Sequence, residues 1–221
     1  MSLILSGSDG LSDIDGSAAT PAIRGTDANT GIFFPAADTI AFATGGTEDA
    51  RFNSAGNLQT IGTISVGNAT PSTSGAGITF PAAQSDSSNA NTLDDYEERT
   101  FTPAFTSSGV QPVVTYTSRT GTYVKVGRVV TVFVKIIVNT IAGGTGVLYV
   151  SGLPFTVSTD CDECGGPVGL AFGYAANPTQ TIQQEGGSTV IILMRNTSNS
   201  ANVPTDLQNN SYFNSAFSYL V

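Results

Sequence analysis

The first 92 residues divide their apolar side chains into pieces of three to six residues, each fenced by turn-forming sequence. The pieces are 3–5, 32–34, 39–42, 50–52, 61–66 and 78–80, and between them lie SGSDG, DANTG, ATGGTED, NSAGN and STSGAG. Alternation within the pieces suits short strands covered on one face, and Gly and Asn at the joins supply the positive φ of tight turns. Strands this short do not enclose a core, because independent stability needs three or more paired strands with a shared apolar face, or a partner layer. The segment is therefore expected to bury its Phe and Ile stripes against copies of itself, wound around a threefold axis with one layer per strand.

One phrase occurs twice: GIFFPAA at 31–37 and GITFPAA at 77–83 match at six of seven positions and start 46 residues apart. Neither copy holds a His, a Cys or a charge, so the phrase does no chemistry. Thr-Pro stands upstream of both (Thr20-Pro21 and Thr70-Pro71), with four extra residues in the first copy. Two copies fall short of a solenoid's continuous stack. A repeating shaft accounts for them; the plainer alternative is two ordinary strands of one globular β domain. On the shaft reading the candidate core of a trimer is Ile32, Phe34, Ile40, Phe42, Ile78 and Phe80.

Residues 85–103, SDSSNANTLDDYEERTFTP, mark a boundary. Thr92 is a fitting N-cap, Asp95 sits at the third helical position, and the acids suit the positive end of the helix dipole. A short helical neck is expected here, with Leu93 and Tyr96 on one face. Beyond Pro103 the strands lengthen. GTYVKVGRVVTVFVKIIV predicts two strands about a turn at Gly127-Arg128, and the second is apolar on both faces, as in the middle of a sandwich. Further strands are expected over 113–116, 146–151, 168–174, 189–195 and 213–221, with turn signals between them. The fold class expected is all-β, in four parts: 1–15 as an attachment segment, 16–92 as the shaft, 93–103 as the neck and 104–221 as a β-sandwich head.

Charged residues are sparse, at 11%, against about 25% in an average globular protein. The net charge of −9 falls in the first hundred residues, and no region is basic, so nucleic-acid binding lacks its electrostatic driving force. The longest apolar stretch, 129–138, contains Lys135 and is half the length of a membrane span, so no membrane insertion is expected. The N-terminus has no basic region and reads as no secretory signal, which suggests assembly in a cytoplasm.

Catalytic devices are thin. With no His there is no ordinary Ser-His-Asp or Cys-His arrangement. Asp94, Asp95, Glu97 and Glu98 read as a solvated face rather than a glycosidase pair, which must flank a bond across a cleft. Asp9, Asp13 and Asp15 do not match the spacing of a calcium loop. Cys161 and Cys164 form a CxxC without the further ligands of a zinc site, and read as free thiols or a tight loop disulfide. No cofactor, no metal and no enzyme activity are expected. Rigid aromatics beside Asn, Ser and Gly suit recognition of a glycan or protein, and the candidate contacts are Tyr174, Asn177, Tyr212 and Tyr219.

The stretch TPAIRGTDANTGIFFPAADTIAFATGGTEDARFNSAGNLQ resembles shaft segments of tail-fibre proteins of tailed bacteriophages, of the marine and cyanobacterial type. GITFPAAQSDSSNANTLDDYEERTFTP is similar to the neck that joins shaft to head there, although the family usually has Gly where this chain has Arg99. GTYVKVGRVVTVFVKIIV and SGLPFTV look like the first strands of the head. The resemblance implies a homotrimeric virion protein, assembled in the host cytoplasm, whose head adsorbs to a host-surface glycan or protein. Leu3, Ile4 and Leu5 are then the candidate docking strand toward the baseplate or other tail proteins. A capsid decoration or cement fibre is the alternative; a glycan-cleaving tailspike fits less well, for want of head carboxylates.

Overall fold

The computed structural model describes residues 14–82, 87, 89, 91–93, 95–175, 180–195 and 200–221. The chain divides into two compact units, Met1–Ser85 and Asp86–Val221. Leu3, Ile4, Leu5 and Asn177 lie outside the described residues, as do Asp9, Asp13 and Asp94.

In the N-terminal unit, β1 (Ile23–Arg24), β2 (Gly31–Phe33), β3 (Ile40–Thr44), β4 (Thr47–Phe52) and β5 (Leu58–Thr60) form an antiparallel meander in chain order. The β3–β4 hairpin closes on Gly45 and Gly46, with φ of 57° and 82°. Two successive positive φ values are the mark of the two-residue turn whose twist matches the strands it joins. β6 (Thr63–Ser65) and β7 (Gly77–Thr79) pair parallel, as a separate two-stranded sheet. Both copies of the repeated phrase thus supply a strand, but in different company. Gly31 of the first copy pairs with Arg24, and a Cβ there would meet the Ile23 carbonyl oxygen at 2.1 Å. Gly77 of the second copy faces open space.

The C-terminal unit is a two-sheet sandwich. One sheet runs β14 (Leu170–Tyr174), β18 (Leu207–Leu220), β11 (Val129–Ala142), β10 (Val113–Val126), β8 (Tyr96–Phe101). The other runs β13 (Gly165–Pro167), β15 (Gln180–Gln184), β16 (Val190–Arg195), β12 (Leu148–Ser151), β9 (Ala104–Ser107), with β17 (Ser200–Ala201) beside β16. The core lies between them: Val130, Val132, Val134, Ile136 and Val138 of β11 meet Phe105, Leu148, Val150, Ile182, Ile191 and Leu193 of the opposite sheet. β10 and β11 join at Gly127-Arg128, where Gly127 has φ 54°.

The expected neck helix is not formed by the described residues. Residues 96–101 are instead strand β8, paired with Gly121–Val126 of β10. The reason is electrostatic as well as steric. Lys125 lies on the inward face of β10, 1% exposed, and takes its counter-charge from Asp95 at the foot of β8. Its ammonium also lies 5.5 Å from the centre of the Phe155 ring. A helix starting at Thr92 would carry Asp95 away from that cation. The neighbouring acids are similarly engaged: Glu97 accepts from the Tyr123 hydroxyl and bridges to Arg99 at 3.1 Å. Opposite Phe101 stands Gly121, where a Cβ would lie 2.5 Å from the Phe101 ring.

Two substitutions check this arrangement. Asp95→Ala leaves a buried ammonium without its carboxylate and should cost about 3–5 kcal/mol in chemical unfolding. Adding Lys125→Met should recover most of that loss, because the uncompensated charge goes with it. Gly121→Ala drives a methyl into an aromatic ring and should cost about 1–3 kcal/mol, read as a lower thermal midpoint.

Candidate functional site

The N-terminal unit is inverted relative to an ordinary sheet. Along β3 the side chains alternate, and those turned inward are small: Ala41 is fully buried and Ala43 nearly so, packed with Phe33 and Ala18. Those turned outward are large: Ile40 is 44% exposed and Phe42 37%. The expected core residues sort the same way, with Ile32, Phe34 and Phe80 half-buried and Ile78 exposed. Sequence reading missed the rest of this surface, which continues through Ile23, Phe52 and Leu58; Ile61, Ile64 and Val66 beyond the sheet are exposed as well. It also missed that Phe33, rather than its neighbours, serves the chain's own core. An open groove of about 670 Å³ is lined by Ile14, Asp15, Phe34, Asp38, Ile40 and Phe52.

In the head, the three candidate contacts among the described residues separate. Tyr219 is 2% exposed, and its hydroxyl lies 3.3 Å from the Phe155 carbonyl oxygen it donates to. Tyr174 packs against the same core, and its hydroxyl has no hydrogen-bond partner among the described residues. The Tyr219 ring stabilises the sandwich and presents no contact surface, whereas Tyr174 is half-buried. The reason is register: Tyr219 shares the inward face of β18 with Phe213 and Phe217. Tyr212 faces outward and stands edge-on to Phe172, with ring centres 6.5 Å apart.

Cys161 and Cys164 are free thiols at the two ends of a tight turn, in which the Cys164 amide donates to the Cys161 carbonyl at 3.2 Å. Glu163 inside that turn has φ 60°. The Cys164 thiol is held above its usual range by a hydrogen bond with Cys161, then by burial. Among the described residues no three His, Cys, Asp or Glu side chains gather as metal ligands.

Burial is the main cause that raises four phenols of the head, Tyr116 among them. It pushes Tyr123 up to about 12, with the Glu97 carboxylate adding to the shift, and it raises Tyr174 and Tyr219 as well. Exposed phenols ionise near pH 10, so the folded head keeps protons that the unfolded chain gives up. That contribution to stability is complete below about pH 10 and is lost as the pH climbs toward 12. The thermal midpoint should fall across this window, and phenolate absorbance should rise together with unfolding rather than ahead of it.

No protein-family model and no curated protein matches the chain. Among solved structures, the Dettilon tailspike protein crystal structure is similar at 14% sequence identity and a TM-score of 0.45. The match covers 72% of this chain and 30% of that one.

Proposed function

We propose that the protein is a homotrimeric fibre of a phage tail whose head binds the host cell surface for adsorption, by binding and not by catalysis. The observation that supports it most is the inversion of the N-terminal unit. Fully burying one Ile or Phe stabilises by roughly 1.5–3 kcal/mol. A strand that hides alanines and shows Ile40 and Phe42 to water forgoes that gain unless another chain covers it. The parallel β6–β7 pair supports the same reading, since two isolated strands are marginal in water. The shaft and neck phrases of the sequence point to phage tail fibres, and the part of the particle follows from that resemblance. Three heads on one shaft would bind weakly one by one and firmly together.

The test is the mass in solution. Light scattering should give three times the 22.6 kDa of the chain, and the purified protein should compete with phage for adsorption to host cells. Leu58→Ser sharpens the result, because Leu58 is 54% exposed in the single chain. On a monomer it is a surface change worth less than about 0.5 kcal/mol; on a trimer it should dissociate the shaft or lower its melting by several degrees. A monomeric wild-type chain overturns the proposal.

A further inference from the structure

The outward face of the head's β14-β18-β11-β10-β8 sheet carries most of the exposed large apolar side chains of the head's described residues, and the fibre reading does not use it. On β11 the residues opposite the core series are Val129, Thr131, Phe133, Lys135 and Ile137. Phe133 is 53% exposed and Phe172 on β14 is 65% exposed. Leu170, Val126, Val129 and Tyr96 extend the same surface from one edge strand to the other. The second sheet of the sandwich is different: among the described residues, none of its large apolar side chains is exposed. An even scatter of apolar residues over the head would need no explanation, but concentration on one sheet does.

The charges on this face say what covers it. Across β18, β11, β10 and β8 the face holds two charged side chains among the described residues, Lys135 on β11 and Glu98 on β8. Neither forms an ion pair within the chain among the described residues; Glu98 accepts from the Tyr96 hydroxyl at 3.1 Å. Lys135 is level with Thr120 and Glu98 with Val124, so they stand about 14 Å apart along the strands and about 10 Å across them. They do not reach each other in one chain. In a ring of identical copies each contact is heterologous, one part of a surface meeting a different part of its neighbour's. The base stands on the middle strand β11 and the acid on the edge strand β8, so a ring that lays the β8 edge of one copy over the β11 strand of the next brings unlike charges together. Three strands over about nine residues, with six residues of β8 and five of β14, make a face of roughly 600 Å², against the ~800 Å² per partner of a standard interface. Heads held on one shaft would meet at millimolar effective concentration.

The geometry points to this face as the contact between heads of neighbouring copies, with Lys135 of each chain ion-paired to Glu98 of the next. The inference rests on the threefold assembly proposed above. The six-stranded sheet and the loops are then left for the receptor.

The experiment uses the full chain. Zero-length carbodiimide coupling should join Lys135 to Glu98 across chains, seen as covalent dimer and trimer bands and as the linked peptide by mass spectrometry. Lys135→Glu and Glu98→Lys should each abolish that link and lower the head's melting midpoint by about 5 °C. The double exchange should restore both. Three results overturn the inference. A trimeric wild type that gives no such link, with a single variant melting unchanged, leaves the shaft assembly standing and the head face free. A Lys135→Glu trimer that melts normally but no longer binds host cells makes the face a receptor surface. A monomeric wild type removes the assembly itself, together with the proposed function.

Discussion

The pleat of a β-strand sends neighbouring side chains to opposite faces, and several strands of this chain are apolar on both. Among the described residues, each unit of this chain encloses one face of these strands. In the head the inward residues of β11 are enclosed by a second sheet, while Phe133 and Val129 on its other face stay in water. In the N-terminal unit the imbalance is greater, because the enclosed residues of β3 are alanines and the uncovered ones are Ile40 and Phe42. The two units differ in how much core each builds alone. The head has a continuous cluster drawn from both sheets, and the N-terminal unit has Phe33, Ala41, Ala43 and Ala18.

Where polar groups enter the head they are placed to specify its geometry. Lys125 and Asp95 fix the start of β8 against β10, and Phe155 lies over the ammonium. Such a pair gains little over apolar residues of the same size, yet each partner makes the other indispensable. It therefore acts on register more than on stability. Asn202 and Gln184 serve in a similar way from inside the sandwich. Asn202 donates to the Leu193 carbonyl at 3.0 Å, and Gln184 reaches the Ser218 carbonyl at 2.9 Å, tying β15 to β18.

Much of this fold is legible in the sequence. The short pieces of the first 92 residues fall largely on strands, the Gly127-Arg128 turn joins β10 and β11, and the alternation of Val130 to Val138 marks the buried face. The neck was not legible from local pattern. Thr92 and the acids that follow satisfy the rules of a helix start, and a long-range partner overrides them. A signal was present in Lys125, a lone cation within TYVKV, which requires a buried acid somewhere in the chain. The role of Tyr219 was hidden for the opposite reason. Period-two alternation on β18 places it inward, but a Tyr beside Ser and Leu near a chain end has the composition of a contact surface. Strand pairing was hardest: no feature of GIFFPAA and GITFPAA says that one runs antiparallel within a meander and the other parallel to β6.

The uneven cores bear on how such a chain would assemble. A sandwich with its own core can fold before it meets a partner, with local hairpins such as β10–β11 closing first. A unit whose described core is Phe33, Ala41 and Ala43 with Ala18 against them would, on the fibre reading, gain most of its apolar burial from another chain, so that its folding and its association are one reaction. The stability of that unit then depends on chain concentration, as for any state that binds its own copies, whereas the head's interior does not. Registration of three chains is the slow and error-prone part of such a reaction. A self-complementary head face addresses this directly: folded heads that pair through Lys135 and Glu98 would hold three chains side by side, and the shaft would then close within one complex rather than between strangers.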